Sequence, residues 1–184
     1  RAPSCGARVA ESIVMIRVVL VSVLVVGCTH TNLAVQYDVT RRAGGEVATG
    51  QPRDGAPSGS IGFGVGTRAA SLGLIARGRD ISLDDDPWLA GELALDLQVA
   101  PVRRGPAAAY LHGGPVRALL YDVDARAAHW GVGLTYGLGI KLGFGGVHLV
   151  SDVTWTELRY TGAMPTTSGA ASLRTASVGL QFGQ

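Results

Sequence analysis

The stretch Trp130 to Phe144 constrains this chain more than any other, because its alternation never breaks. Trp130, Val132, Leu134, Tyr136, Leu138, Ile140, Leu142 and Phe144 fill the even positions. Gly131, Gly133, Thr135, Gly137, Gly139, Lys141 and Gly143 fill the odd ones. A strict period of two is the signature of a strand. As a helix the same residues would spread apolar side chains around the whole circumference and carry a run of glycines costing about 1 kcal/mol each relative to alanine. At roughly 3.3 Å per residue the strand is about 50 Å long. Tilted by about 40°, it spans close to 38 Å along a barrel axis, enough for an apolar band of roughly 25 Å and both flanking interfaces. One apolar face of that height, backed by glycine, predicts a lipid-facing barrel strand.

Composition points the same way. The chain has 184 residues, 47% hydrophobic and only 16% charged, with 27 glycines, whereas a soluble domain carries about 25% charged residues. Much of the charge sits in apparent loops, so something other than water covers one face of the strands. The net charge of +2 comes without a basic run or interleaved aromatics, which argues against nucleic acid as a partner.

Met15-Ile16-Arg17 reads as a start with a short positive region, followed by the apolar core Val18 to Val26. Val25-Val26-Gly27-Cys28 resembles a bacterial lipobox. The resemblance implies cleavage before Cys28, lipidation of that cysteine, and export to the cell envelope. The expected division is then 1–27 as upstream residues and signal peptide, 28–31 as a lipidated tether, and 32–184 as the barrel domain. The apolar run is short of the ~20 residues of a transmembrane helix. An ordinary secretory signal with an incidental Cys28 is the competing reading. Cys5 and Cys28 are the only cysteines, which excludes a disulfide framework from a chain processed at Cys28.

Seven further strands are expected. Leu33, Val35, Tyr37 and Val39 alternate with Ala34, Gln36, Asp38 and Thr40, and 41–58 reads as a long loop. Ile61, Phe63 and Val65 alternate with small residues; Arg68 to Ser71 is a tight turn; 72–83 is a strand of poorer alternation, ended by Asp84-Asp85-Asp86-Pro87. Leu89, Leu93, Leu95, Leu97 and Val99 oppose Glu92, Asp96 and Gln98, and Pro101 to Pro106 is a basic turn. In 107–123, Gly113-Gly114-Pro115 is either a bulge in one strand or the turn of a hairpin. The bulge keeps the strand number even, as in single-chain bacterial barrels. Asp124 to Ala128 is a loop, and Gly145-Gly146 is a hairpin turn. Val147, Leu149, Val153 and Trp155 then oppose His148, Asp152, Thr154 and Thr156; after a polar loop, 161–171, Ala176, Val178, Leu180 and Phe182 close the chain.

The fold class expected is all-β, one eight-stranded antiparallel up-and-down barrel after an N-terminal signal segment. From about Asn32 to Gln184 the pattern resembles the small eight-stranded outer-membrane barrels, with short periplasmic turns and longer outer loops. That resemblance implies outer-membrane lipid as surroundings and the outer-membrane assembly machinery as a partner. In the family a terminal aromatic strand is the recognition signal. Phe182 with Leu180, Val178 and Ala176 looks like it, although Gly183 and Gln184 follow. The rival architecture is a soluble, lipid-tethered, lipocalin-like barrel with its apolar face inside. Its outer surface would need many charges, and the polar face of the Trp130 strand offers only Lys141 and Thr135.

The lipid-facing set is then Trp130, Val132, Leu134, Leu138, Ile140, Leu142 and Phe144. Inward are expected Gln36, Asp38, Glu92, Asp96, Gln98, Lys141 and Asp152, pairing as a polar plug, with Lys141 on a carboxylate and Arg117 as a second cation. Gly62 to Gly66 lacks the third glycine and the helix of a nucleotide loop. Asp84 to Asp86 lacks the other ligands of a calcium loop, so a solvated loop is favoured. Some small outer-membrane barrels hydrolyse lipid A with His, Ser and Glu, but His148 and Ser151 differ in parity and face opposite ways. His148 and Asp152 share a face about 13 Å apart. No enzyme, cofactor or metal is expected. The expected role is structural or surface-interacting, through outer loops whose extracellular partner the sequence does not name, with no large pore; the alternative is a small hydrophobic ligand inside a soluble barrel.

Overall fold

The alternating stretch forms most of one strand in a ring of eight. A computed structural model describes residues 30–44, 58–83, 86–161 and 170–183. Their strands are β1 (His30–Gly44), β2 (Ser58–Gly66), β3 (Ala70–Leu83), β4 (Asp86–Arg104), β5 (Ala107–Asp122), β6 (Ala127–Phe144), β7 (Val147–Thr161) and β8 (Ala170–Phe182). Each pairs antiparallel with the next, and β8 returns to β1 with Leu33 opposite Phe182 and Thr40 opposite Thr175, closing the barrel. Closure gives every strand a neighbour on both sides, although residues 39–44 of β1 and 80–83 of β3 run past β2 and pair on one side only among the described residues. The segment 1–27, Cys28, Thr29, Asp84, Asp85 and the bulk of the two long loops lie outside the described residues, while His30 and Thr31, expected in the tether, open β1.

Turn chemistry and register explain where the strands end. Gly145 adopts φ 68° and Gly105 φ 56°, each closing a two-residue hairpin in the left-handed region that glycine tolerates. Asp122 Oδ1 accepts hydrogen bonds from the Asp124 and Ala125 amides at 3.0 and 2.9 Å, folding the β5–β6 turn. The chain enters the barrel at His30 and leaves it at Phe182 on the end that carries the turns 67–69, 105–106 and 145–146. At the opposite end β1 stops at Gly44 and β2 starts at Ser58, β7 stops at Thr161 and β8 starts at Ala170, and 123–126 connects β5 to β6.

Three sequence expectations are corrected. Asp86 and Pro87 do not terminate β3; they open β4, opposite Leu83 and Ser82, a strand start being where proline is tolerated. Pro101 to Arg104 is not a turn. β4 runs through it, and the register shifts between Val99 and Val102, so a bulge accommodates Pro101 and its missing N–H. The bulge expected at Gly113-Gly114-Pro115 is absent. β5 passes through as one strand, in unbroken register with β6 and in the same register with β4 before and after two unpaired positions. Pro115 has no amide to give the ladder, and Gly113 lets the strands close up, since a Cβ there would lie 2.6 Å from the Thr135 carbonyl oxygen.

Inside and outside separate by parity. Val35, Phe63, Leu74, Leu95, Leu111, Leu138, Leu149 and Leu180, one from each strand, are exposed on the outer surface, while Asp38, Ser60, Arg77, Asp96, His112, Thr135, Asp152 and Thr175 are buried within. The inner face of β6 is almost bare. A Cβ on Gly139 would lie 2.5 Å from Tyr110 Cζ and 2.7 Å from Asp152 Cβ, whereas one on outward Gly91 meets nothing within 4 Å. Gly139→Leu is therefore expected to destabilise the barrel by about 1–3 kcal/mol through overpacking, and Gly91→Leu to change stability by less than about 0.5 kcal/mol. Urea titration of both variants refolded into lipid vesicles checks this; equal stability would contradict the assignment of faces.

Candidate functional site in the barrel lumen

The inward residues form one continuous chain of polar contacts. Arg77 lies between two carboxylates, with Nε 3.0 Å from Asp38 Oδ2 and Nη1 3.3 Å from Glu92 Oε2. Glu92 also pairs with Arg79. Ser60 Oγ bridges Asp38 and Gln36 at 3.3 Å each, and Gln36 Nε2 donates to Asp152 Oδ2 at 2.8 Å. Asp152 also accepts from the Tyr110 hydroxyl at 3.0 Å and from Thr154 Oγ1 at 3.1 Å. From Thr154 the chain continues to His112 Nε2 at 3.4 Å, and His112 Nδ1 lies 2.9 Å from Asp96 Oδ1. Gln98 Nε2 then donates to Asp96 Oδ2 at 2.9 Å, and Lys141 Nζ to Gln98 Oε1 at 2.7 Å. Every strand from β1 to β7 supplies a member, and Thr175 of β8 forms a separate buried pair with Thr40 at 3.0 Å.

Beside this chain the lumen holds a small apolar cluster, Ala94, Val116, Ala118 and Leu158, against which Tyr160, Ala171 and Leu173 pack. The spaces left between these groups are about 30 and about 10 Å³, room for a water or two. A larger vestibule of about 400 Å³ opens at the end that carries the short turns, reaching in to Tyr110 and Lys141.

All seven residues expected inside reach the lumen and join the chain. Two pairings differ from expectation. Lys141 bonds the Gln98 amide and lies 4.7 Å above the Tyr110 ring, with no carboxylate within ion-pair distance among the described residues. Arg117 points outward and stacks 4.9 Å from the Trp130 ring, because position 117 has the outer parity of β5. The cations that do pair are Arg77 and Arg79. Their signal was weak: β3 carries Ile75 inside and Gly78 outside, so neither face reads as polar.

The expected outward set is also outward. Trp130, Val132, Leu134, Leu138, Ile140 and Phe144 are exposed, while Leu142 is half-buried. His148 faces the vestibule, but Ser151 and Glu157 are exposed on the outer surface, and Glu157 instead accepts a hydrogen bond from Ser172 at 2.8 Å. The three do not converge. Asp96, His112 and Thr154 do lie in a row with the order of a hydrolytic triad, yet Thr154 is 1% exposed and gives its proton to Asp152. A nucleophile needs both a free proton path to the base and an approach for substrate; here the row is part of the packing.

The arrangement defines a closed eight-stranded antiparallel barrel with a polar, packed lumen and an apolar outer wall. No protein-family model matches the chain, and no curated protein matches it in sequence. Among solved structures it is similar to Neisserial surface protein A, with TM-score 0.62 and 11% identity, covering 84% of this chain and 96% of that one. It is similar also to the N-terminal β-barrel domain of Pseudomonas aeruginosa OprF, with TM-score 0.55 and 13% identity over 83% of this chain and 97% of that one. The outer membrane protein OprG from Pseudomonas aeruginosa follows, with TM-score 0.50 and 11% identity over 85% and 95%. The likeness is one of fold.

Because removing one partner of a buried ion pair leaves the other charge uncompensated, Arg77→Met is expected to cost about 3–5 kcal/mol. Arg117→Gln, which loses an exposed cation–π contact, should cost about 0.5–1 kcal/mol. Denaturant melts of the two variants in lipid vesicles measure the difference; a comparable loss in both would contradict the assigned ion-pair core.

Proposed function

We propose that this chain is a bacterial outer-membrane barrel, exported and lipid-anchored at Cys28, that acts through its outer loops in a structural or surface-interaction role and passes no large solute. The observation that carries the reading is the inverted distribution of polarity. Large apolar side chains cover the outside of all eight strands, and ion pairs fill the inside. Water would not tolerate such a wall, since soluble monomers rarely expose apolar patches beyond a few hundred Å². Hydrocarbon does, provided backbone polar groups are paired, as closure of the ring provides wherever both neighbouring strands reach.

The ends fit the same placement. Trp130 stands near one rim and Phe144 and Phe182 near the other, all exposed, in the manner of interfacial aromatic girdles. The short turns 67–69, 105–106 and 145–146 then lie on the periplasmic side, and the long connections 45–57 and 162–169 outside, where a partner would meet them. Anchoring at Cys28 would hold the lipid on the periplasmic side, beside His30, where β1 begins. The packed lumen argues against conduction, and the divergence of His148, Ser151 and Glu157 argues for a non-catalytic role. The soluble lipocalin-like alternative needs an apolar interior, and the interior described above is ionic.

If Leu138 faces mid-membrane, Leu138→Arg should cost about 2–4 kcal/mol of folding stability in vesicles. A processed, delipidated chain that stays monomeric and soluble without detergent would overturn the membrane placement. The anchor has its own test: Cys28→Ala should abolish metabolic labelling by a radioactive fatty acid while the barrel still folds. Equal labelling of mutant and wild type would remove the lipoprotein part.

A further inference from the structure

We propose that the vestibule at the short-turn end binds the phosphate group of a small ligand. Its lining brings together Arg68, Arg103 and Lys141 with His30 and His148, and among the described residues includes no carboxylate. This departs from the rest of the lumen, where Arg77 and Arg79 each meet a carboxylate. Arg103 Nη1 donates to the Arg68 carbonyl at 2.5 Å, which ties two guanidinium-bearing residues to one side of the rim. Deeper in, Lys141 makes its direct contacts with the Gln98 amide and the Tyr110 ring, while Asp96 and Asp152 act on it from beyond ion-pair distance. Gln181, 7% exposed, also lines the space, and its side chain makes no hydrogen bond to any described residue.

The Lys141 ammonium and the Arg103 guanidinium repel one another across the cavity, and an oxyanion seated between them, with Arg68 at the rim, would offset that repulsion. The donor types suit phosphate: guanidinium presents a planar fork to two oxygens, and lysine acts as a point charge on a third. The cavity, about 400 Å³, falls within the range of small-molecule sites and exceeds a bare phosphate ion. The ligand therefore carries its phosphate on a larger body, either a soluble phosphorylated molecule or the headgroup of an anionic phospholipid.

The test uses the full chain refolded in a maltoside detergent in phosphate-free buffer at constant ionic strength, followed by titration with inorganic phosphate and, separately, with dihexanoyl phosphatidylglycerol. Side-chain amide NMR signals of Gln98 and Gln181 report binding. A saturable response is expected with at least one probe. It should weaken at least tenfold in the Arg68→Gln/Arg103→Gln double variant, whose exposed positions leave the barrel intact. It should also be lost in Lys141→Gln and unchanged in Arg117→Gln on the outer wall. Tighter binding of the lipid than of inorganic phosphate assigns the headgroup, and the reverse order a soluble ligand. No saturable response to either probe, or undiminished affinity in the double variant, overturns the proposal. Neither outcome bears on membrane placement, which solubility and Leu138→Arg decide separately.

Discussion

A ring of eight strands encloses a space that side chains have to fill, and here the filling depends on Arg77. Its guanidinium joins Asp38 of β1 to Glu92 of β4 across the intervening strands. Such a pair adds little net stability, because desolvation offsets the attraction, yet losing either partner is costly. That asymmetry makes the contact a register device. Side chains on a strand alternate faces, so a slip of one residue in β3 would send Arg77 outward and leave Asp38, which is fully buried, without its cation. The same slip in β2 would remove Ser60, which links Asp38 to Gln36. Burial of large apolar side chains within the lumen does not set register in this way, because most of them are on the outer surface.

The glycines of β6 serve that packing. Their inner face is a smooth wall, and rings from the neighbouring strands lie against it. Gly131 faces the Tyr160 ring, where a Cβ would come within 2.8 Å; Gly143 faces His148, within 2.9 Å; Gly137 and Gly139 face His112 and Tyr110. The positions of Tyr110 and His112 in the polar chain thus depend on side chains that β6 does not have. Tyr110 reaches Asp152 only by lying across Gly139. Glycine in a strand interior loses propensity, and here the loss is offset by room for two ring-bearing members of the network.

How much of this was legible follows from how cleanly each strand keeps its faces. β6 has bulky apolar residues at every outward position and almost nothing inward, so its faces and the barrel class were readable at once. The inward carboxylates on β1, β4 and β7 were readable for the same reason, each flanked by outward leucine, valine or tyrosine. β3 and β5 mix their faces. β5 carries Tyr110 and His112 inward at one end and Val116, Ala118 and Leu120 inward at the other, so no single periodicity separates polar from apolar. Arg77, Arg79, Tyr110 and His112 were missed because their identity as interior residues is set by register with β4 and β6. Pro101 misled for a local reason: a proline beside two arginines reads as a turn, and a bulge that absorbs it leaves no separate mark in the sequence.

The unequal treatment of the cations follows from depth. Arg77 and Arg79 are buried within the barrel, where an isolated charge costs several kcal/mol, and both meet Glu92. Lys141, on the same inward parity but half-buried at the mouth, makes no ion pair among the described residues; its direct contacts are an amide and a ring. Arg68 and Arg103, further out at the rim, are exposed and need no partner. Pairing thus weakens from the barrel interior to the short-turn opening as access to solvent rises. In the depth of the lumen Asp38, Glu92, Asp96 and Asp152 outnumber Arg77 and Arg79, while the described residues of the short-turn mouth carry cations and no carboxylate, so the interior runs from acidic to basic along the barrel axis.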